Sequence, residues 1–232
     1  MELVRVDDPG WSLVLPQDDA TKAALARSPW LQPHWVTPEL ELIVGSSTYV
    51  VRTEGTVVVV DPFLAFDDDA KVGARLAALG VAPEDVDVVV NSHFDGMGLN
   101  GHFPNARYVL PRAELPAEGP WRDLDPLLVD GGEEVAPGVR VEAAPGHNAG
   151  HVVTWLDRHT VIVGHLFLHP AQIADPDVVQ DGEDADVLRA TRRSLLARCA
   201  ADGVHLLGHL FAGPGGGVVV EDDHGYRLRD VR

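Results

Sequence analysis

The feature that most constrains the fold is an aliphatic run that ends at Val90 and passes directly into polar and glycine-rich residues. Pro83-Glu84-Asp85 precedes the run and is typical of a turn, so the pattern predicts a short buried strand bounded by turns. His93 and Asp95 follow shortly after the strand end. Because the ends of buried strands aim side chains at the ligand sites of α/β folds, His93 and Asp95 are candidate site residues.

Three later segments also place histidine at or after a predicted strand end. His147 lies in the loop 145–151, where glycine permits the backbone conformation of a tight connection. His165 follows the aliphatic residues 161–163, and His209 follows the predicted strand 204–207, Val-His-Leu-Leu. The chain therefore carries histidine at four predicted strand ends.

These segments, in this order, resemble the metallo-β-lactamase superfamily, and its lactonase-like branch in particular, over roughly residues 40–230. In that family the first loop has the pattern His-x-His-x-Asp-His and feeds a two-metal site. This chain has Asn91, His93, Asp95 and Gly96 at these positions, so only some of the ligands remain. Segment 145–151 is similar to the family's Pro-Gly-His-Thr-x-Gly-His, whose first histidine binds metal, and His147 occupies that position.

Two further positions depart from the family's pattern. The resemblance places His165 where the family has an aspartate whose carboxylate bridges two metal ions. It places Leu210 in the column of the family's last histidine, which leaves His209 one residue out of register. Asp61 occupies a strand end at which the family's aspartate organises the metal loop through hydrogen bonds. The resemblance therefore implies a degenerate metal site.

The resemblance also implies an α/β fold, the four-layer αββα metallo-β-lactamase-like sandwich. Residues 1–38 are rich in proline and tryptophan and are predicted to form an N-terminal arm or cap. Residues 39–232 are predicted to form the metallo-β-lactamase-like domain, and the chain is a single domain overall. Periodicity predicts a meander of three strands over 40–44, 48–53 and 56–60, and helices over 67–79 and 185–201.

Three arrangements of the site stay open. In the first, His93, His147 and His165 converge on one zinc ion, and Asp95 orients a bound water or accepts its proton. The second resembles the mono-zinc carbapenem-hydrolysing β-lactamases: Asp95, His165 and His209 hold the metal, while His93 and His147 act as acid and base. In the third no metal binds, and the histidines are polar pocket residues. The absence of a bridging carboxylate argues against two metals, so at most one zinc ion is expected.

The charge balance and the N-terminus limit the expected partners and location. Eighteen basic and thirty-six acidic residues give a net charge of −18, which repels polyanions and argues against a nucleic-acid partner. The first twenty residues contain no continuous apolar stretch, so neither a secretory signal nor a membrane span is predicted. A soluble, cytoplasmic protein with a small-molecule substrate is expected. Cys199, the only cysteine, is interpreted as an apolar residue on a helix.

The candidate catalytic residues are His93, Asp95 and His147, and the candidate metal ligands are His93, Asp95, His147, His165 and His209. His102, His151 and His169 are candidate pocket residues near the expected mouth. The leading prediction is a hydrolase of an ester, lactone, thioester or related acyl substrate. The alternative is a metal-free or non-hydrolytic member that catalyses proton transfer, cyclisation, elimination or rearrangement of a small organic molecule in specialised metabolism. A pure binding role is the third hypothesis.

Overall fold

The computed structural model describes residues 1–62, 74–94, 103–178 and 184–229, and its strands form two sheets. The first sheet has the spatial order β1 (Glu2–Leu15), β2 (Leu42–Thr53), β3 (Thr56–Val60), β4 (Val88–Val90), β5 (Arg107–Pro111) and β6 (Leu127–Val129). The strands of the second sheet are β7 (Glu134–Ala136), β8 (Val139–Ala143), β9 (Val152–Leu156), β10 (Thr160–Ile162), β11 (His205–Leu207), β12 (Gly216–Asp222) and β13 (Gly225–Arg229). They lie side by side in chain order, from β7 at one edge to β13 at the other. Strands β3 to β6 run parallel, as do β10 and β11, and the other neighbours are antiparallel.

The helices are α1 (Asp19–Leu25), α2 (Ala171–Ala174) and α3 (Ala185–Asp202), and residues 74–77 are also helical. Helix α3 begins where the Asp184 side chain accepts a hydrogen bond from the Val187 amide. It ends at Gly203, whose left-handed backbone (φ 65°) closes the last turn. The predicted helix 185–201 therefore has the observed start and ends within one residue of the observed end.

Alternation along the strands separates the two faces of each sheet. Val58, Val60, Val88 and Val90 point into the core between the sheets, whereas Val59 and Val89 join a cluster with Leu76 on the outer face of the first sheet. On the second sheet, Val153, Trp155 and Val161 pack against Leu188, Leu195, Leu196 and Cys199 of α3. The layers are helix, sheet, sheet and helix, which confirms the predicted αββα sandwich.

The N-terminal residues differ from the prediction, because no strand was expected before residue 40. Strand β1 pairs with β2 along most of its length, apart from an irregularity between Asp7 and Ser12, and forms the edge of the first sheet. Its proline and exposed polar residues hide the alternation that a half-buried strand normally shows. The two predicted strands 40–44 and 48–53 are one continuous strand, β2. The division between an arm (1–38) and a domain (39–232) stays a prediction.

Two other predictions concern the helices and the cysteine. Most of the predicted helix 67–79 lies outside the described residues, although 74–77 are helical. Cys199 is a buried free thiol on α3, as interpreted. Among the residues that the structure describes, no helix is both long and apolar enough to cross a membrane.

Candidate metal centre

Three histidine side chains meet at one edge of the sandwich. His93 follows β4, His147 lies in the loop between β8 and β9, and His165 lies in a short 3-10 turn after β10. The ring centroids are 5.1 Å apart for His93 and His147, 4.3 Å for His93 and His165, and 5.1 Å for His147 and His165. One ring nitrogen of each residue lies within 4.8 Å of the others. The two sheets therefore deliver three nitrogen donors to one point.

The residues before His93 set the direction of its ring. The Ser92 hydroxyl lies 2.9 Å from Nδ1 of His93, and this contact fixes the orientation of the ring. The Ser92 amide in turn donates to Oδ1 of Asp61 over 2.6 Å. Asp61 follows β3 in a left-handed backbone conformation (φ 45°) and is buried. The carboxylate therefore holds the loop that presents His93, as the family resemblance implies.

His151 and Gly164 fix the turn that carries His165. The His165 amide donates to Nε2 of His151 over 3.1 Å. Gly164 has φ 54°, and a Cβ atom there would lie only 2.5 Å from the Ser92 hydroxyl and 2.6 Å from Nε2 of His151. The turn can therefore approach the other loops only because residue 164 is glycine.

Burial keeps two of these imidazoles neutral. The pKa of His151 and that of His165 are held well below the usual histidine value, chiefly by loss of water and then by the neighbouring histidines. A neutral imidazole is the form that binds a metal ion. Burial therefore favours the neutral form of His151 and His165 over the protonated form.

His209 lies at the same edge but does not join the three-histidine group among the described residues. Its Nε2 is 2.6 Å from Oδ2 of Asp61, and both side chains are buried. Burial alone would raise the pKa of Asp61, but the attraction and hydrogen bond of His209 lower it below the usual value. The turn is anchored further by Ser47, which donates to the His209 carbonyl over 2.9 Å, and by Tyr49, which donates to the Gly208 carbonyl over 2.9 Å.

Glu114 is a site residue that the sequence argument missed. Its half-buried carboxylate accepts hydrogen bonds from the Phe94 amide (2.6 Å), the Gly150 amide (3.1 Å) and the Asn148 side chain (3.3 Å). Together with His147 it lines a cavity of about 550 Å³. The only signal in the sequence is an acidic residue a few positions after the apolar residues 108–110, which is too common a pattern to single out.

A larger cavity of about 710 Å³ lies beside α1, α2 and the start of β2. Its wall is mostly apolar and includes Leu25, Leu31, Leu42, Val44, Leu168 and Leu210. His169 also lines it, but both ring nitrogens are occupied, because Nε2 donates to the Trp35 carbonyl (2.9 Å) and Nδ1 accepts from the Ala171 amide (3.0 Å). Burial lowers the pKa of His169 to about 4. His169 is therefore a neutral member of the wall.

The donor set fits one zinc ion. Zinc with bonds of about 2.0–2.1 Å to imidazole needs tetrahedral nitrogen separations of roughly 3.4 Å. The three ring nitrogens lie within 4.8 Å of one another, which is close to this separation. Asp95, the fourth candidate of the first arrangement, lies outside the described residues, as does the pocket candidate His102.

Comparison with known proteins identifies the family. The sequence model of the metallo-beta-lactamase superfamily matches residues 43–209, so the chain belongs to that superfamily. An N-acyl homoserine lactonase of Bacillus cereus is 33% identical over 95 residues, 36% of this chain and 38% of the relative. A Bacillus sp enzyme with the same description is 36% identical over 87 residues, 33% of this chain and 35% of the relative. The matched region thus spans little more than a third of these relatives.

Solved structures show the same fold over nearly the whole chain. The dizinc quorum-quenching lactonase AidC, in complex with a product, superposes with a TM-score of 0.76 at 16% identity and covers 98% of this chain and 93% of its own. The hydrolase AbOPH superposes with a TM-score of 0.76 at 17% identity and covers 99% and 94%. At this identity the likeness supports the fold and leaves the activity to be argued from the site.

Proposed function

We propose that this protein hydrolyses a small lactone or related ester, with at most one zinc ion held by His93, His147 and His165. The observation that carries the proposal is the meeting of three imidazole nitrogens within 4.8 Å at the mouth of the sandwich. The described relatives, which are named as N-acyl homoserine lactonases, support a lactone as the substrate class.

Each residue has a definite part in this proposal. A zinc ion, when bound, supplies Lewis acidity and lowers the pKa of a coordinated water to about 7. His93, His147 and His165 would hold the ion, and the Ser92 hydroxyl would fix the orientation of the His93 ring through its contact with Nδ1. Asp95 is assigned the orientation of the attacking water and acceptance of its proton. The buried edge around His151 excludes bulk water.

The second metal arrangement, with Asp95, His165 and His209 as ligands, is less well supported. Nε2 of His209 is already 2.6 Å from the buried Asp61 carboxylate, and among the described residues His209 is not part of the three-histidine group. Binding a metal there would break the buried contact between His209 and Asp61. The three-histidine arrangement needs no such loss.

The apolar cavity supports a substrate with an elongated apolar substituent such as an acyl chain. Its volume of about 710 Å³ lies within the usual range for small-molecule pockets. Its wall includes Leu168 and Leu210, which follow His165 and His209 closely in sequence. Each methylene that enters such a cavity contributes about 0.8 kcal/mol, or roughly fourfold in affinity.

The test of the proposal combines zinc content with hydrolysis. We expect one equivalent of zinc by elemental analysis of the purified protein, and hydrolysis of N-acyl homoserine lactones that is lost with a chelator and restored by zinc. A protein that binds no zinc and still acts on a small molecule would support the non-hydrolytic alternative. Two equivalents would contradict the predicted single metal.

A pair of alanines on α1 tests the role of the apolar cavity. Ala24 lines the cavity, whereas Ala23 on the same helix is exposed and does not. We expect Ala24→Phe to abolish the gain in kcat/KM with acyl length and to leave short-chain hydrolysis unchanged. Ala23→Phe should behave as wild type. An unchanged chain-length profile in Ala24→Phe would place the acyl group elsewhere.

A further inference from the structure

One carboxylate joins the two loops that carry His93 and His147. Glu114 belongs to neither loop, since it lies in a 3-10 turn (Arg112–Glu114) after β5. Its Oε2 accepts from the Phe94 amide over 2.6 Å and from the Asn148 side chain over 3.3 Å, and its Oε1 accepts from the Gly150 amide over 3.1 Å. Phe94 is adjacent to His93, and Asn148 is adjacent to His147.

These bonds cross the sandwich from one sheet to the other. The loop of His93 follows β4 of the first sheet, whereas the loop of His147 joins β8 and β9 of the second. One backbone hydrogen bond also crosses between these loops, from the Val152 amide to the Ser92 carbonyl over 2.8 Å. Glu114 adds side-chain hydrogen bonds to this connection, beside the cavity that it lines together with His147.

The local packing is shaped around the Glu114 side chain. A Cβ atom at Gly150 would lie 2.8 Å from Cγ of Glu114 and 3.0 Å from Cβ of Ala113, so only glycine allows this approach. Burial raises the pKa of the Glu114 carboxyl, while the three hydrogen bonds and His147 act to lower it. Placing a carboxyl group in this partly dry position is costly unless its oxygens are bonded.

We infer that Glu114 is a positioning residue that holds the His93 and His147 loops at the separation at which both rings reach one metal ion. The inference rests on the metal site of the proposed function and does not depend on the substrate. Groups that orient metal ligands from outside typically change metal affinity about 10–100-fold when they are lost. Glu114 acts one step further out, through the backbone of both loops.

Glu114→Gln is the decisive variant, because glutamine keeps the shape but turns one acceptor oxygen into an NH₂ group that opposes an amide N–H. Glu133→Gln is its matched control. Glu133 is also half-buried and accepts backbone amides, from Asp130 (3.0 Å) and Gly131 (2.9 Å), but within a single turn away from the histidines. Both substitutions therefore remove a similar kind of hydrogen bond.

Zinc competition with a chelator and the absorption spectrum of the Co²⁺-substituted protein are the readouts. We expect Glu114→Gln to weaken zinc binding at least about tenfold and to alter the cobalt spectrum. Glu133→Gln should keep wild-type values for both. Equal zinc affinity in the two variants would overturn the inference, even if the wild type hydrolyses lactones.

Amide hydrogen exchange in the metal-free protein gives a second measurement that needs no zinc at all. We expect Glu114→Gln to speed exchange in segments 92–94 and 146–151 at least about tenfold, with the strand amides unchanged. The same segments in Glu133→Gln should exchange as in the wild type. Unchanged exchange in Glu114→Gln would overturn the inference. If the wild type bound no zinc, the proposed function would fail while this measurement still decided the role of Glu114.

Discussion

A group of three histidines and a single fourth histidine occupy the same edge of the sandwich, and they differ in what surrounds them. His93, His147 and His165 face one another across the two sheets, with one ring nitrogen each within 4.8 Å of the others. His209 instead lies buried against Asp61, with 2.6 Å between Nε2 and Oδ2. The group of three has the geometry of a set of metal ligands, whereas His209 and Asp61 have the geometry of a structural ion pair. Histidine at a strand end is thus a shared sequence feature with two different uses.

The difference comes from the immediate neighbours of each ring. The ring of His93 is oriented by the Ser92 hydroxyl, which contacts its Nδ1. His209 is directed by a carboxylate, and its turn is anchored to β2 through Ser47 and Tyr49. A substitution in the group of three should therefore remove metal with little loss of stability, and a substitution at His209 should do the reverse.

The largest expected effect follows His147→Ala. Loss of one of three ligands should lower zinc affinity and lactone hydrolysis by more than about 100-fold, the upper range for residues that only support a ligand. The thermal stability of the metal-free protein should change little, since the His147 ring is only half-buried. His159→Ala, at an exposed turn, is the control and should match wild type. Retention of wild-type turnover by His147→Ala would place the active site elsewhere.

The second-largest effect is expected at His209, where a substitution should lower stability and leave zinc binding intact. His209→Ala leaves the buried Asp61 carboxylate without its ion-pair partner, which should lower the free energy of unfolding by about 3–5 kcal/mol. Urea unfolding measures the loss. At a temperature where the variant is folded, it should still bind one zinc ion. A normal stability combined with loss of zinc would show that His209 is a ligand and would reverse the comparison.

The third effect is the dependence of stability on pH, which reports on a histidine that is buried in its neutral form. The folded-state pKa of His169 is about 4, below its usual 6.5, because the ring is buried. The unfolded chain therefore binds a proton first as pH falls, and stability is lost from about pH 6.5 down to about pH 4. Between pH 6.5 and pH 5 this single group should account for about 2 kcal/mol.

His169→Gln should reduce that acid sensitivity by the same amount. The measurement is urea unfolding of wild type and variant at the two pH values, and His224→Gln, at an exposed turn, is the control. If the variant and the wild type lose equal stability on acidification, the ring of His169 is not held neutral in the fold.

The smallest effect tests the anchoring of the His209 turn. Tyr49→Phe removes a buried hydroxyl that donates to the Gly208 carbonyl over 2.9 Å. The unsatisfied carbonyl should cost about 1–2 kcal/mol of stability. Zinc content should stay at the wild-type value. In a double-mutant cycle with His209→Ala, Tyr49→Phe should show coupling, and strict additivity would mean that the two contacts act independently.

Local patterns were enough to predict much of this architecture. The strand that ends at Val90 and the helix that ends near Gly203 follow from aliphatic runs bounded by turn and capping residues. Strand β1 was missed because its contacts with β2 are long-range, and its exposed residues carry no regular alternation. Long-range strand pairing of this kind cannot be predicted from a local stretch of sequence.

For the candidate site, the sequence predicted only which residues lie at the ends of strands. The side-chain directions were not, since the contacts of Ser92 with His93 and of Asp61 with His209 depend on neighbouring loops. Glu114 joins three groups from two loops, and no spacing in the sequence indicates it. The Gly164 turn was likewise set by close approach of His151 and Ser92.

An anomalous difference map of zinc-soaked crystals, collected at the zinc absorption edge, tests the central claim most directly. We expect one peak, about 2.0–2.1 Å from a ring nitrogen of each of His93, His147 and His165. The Asp61 and His209 pair should carry no peak. Two peaks about 3.5–4 Å apart, or a single peak ligated by His209, would contradict this expectation.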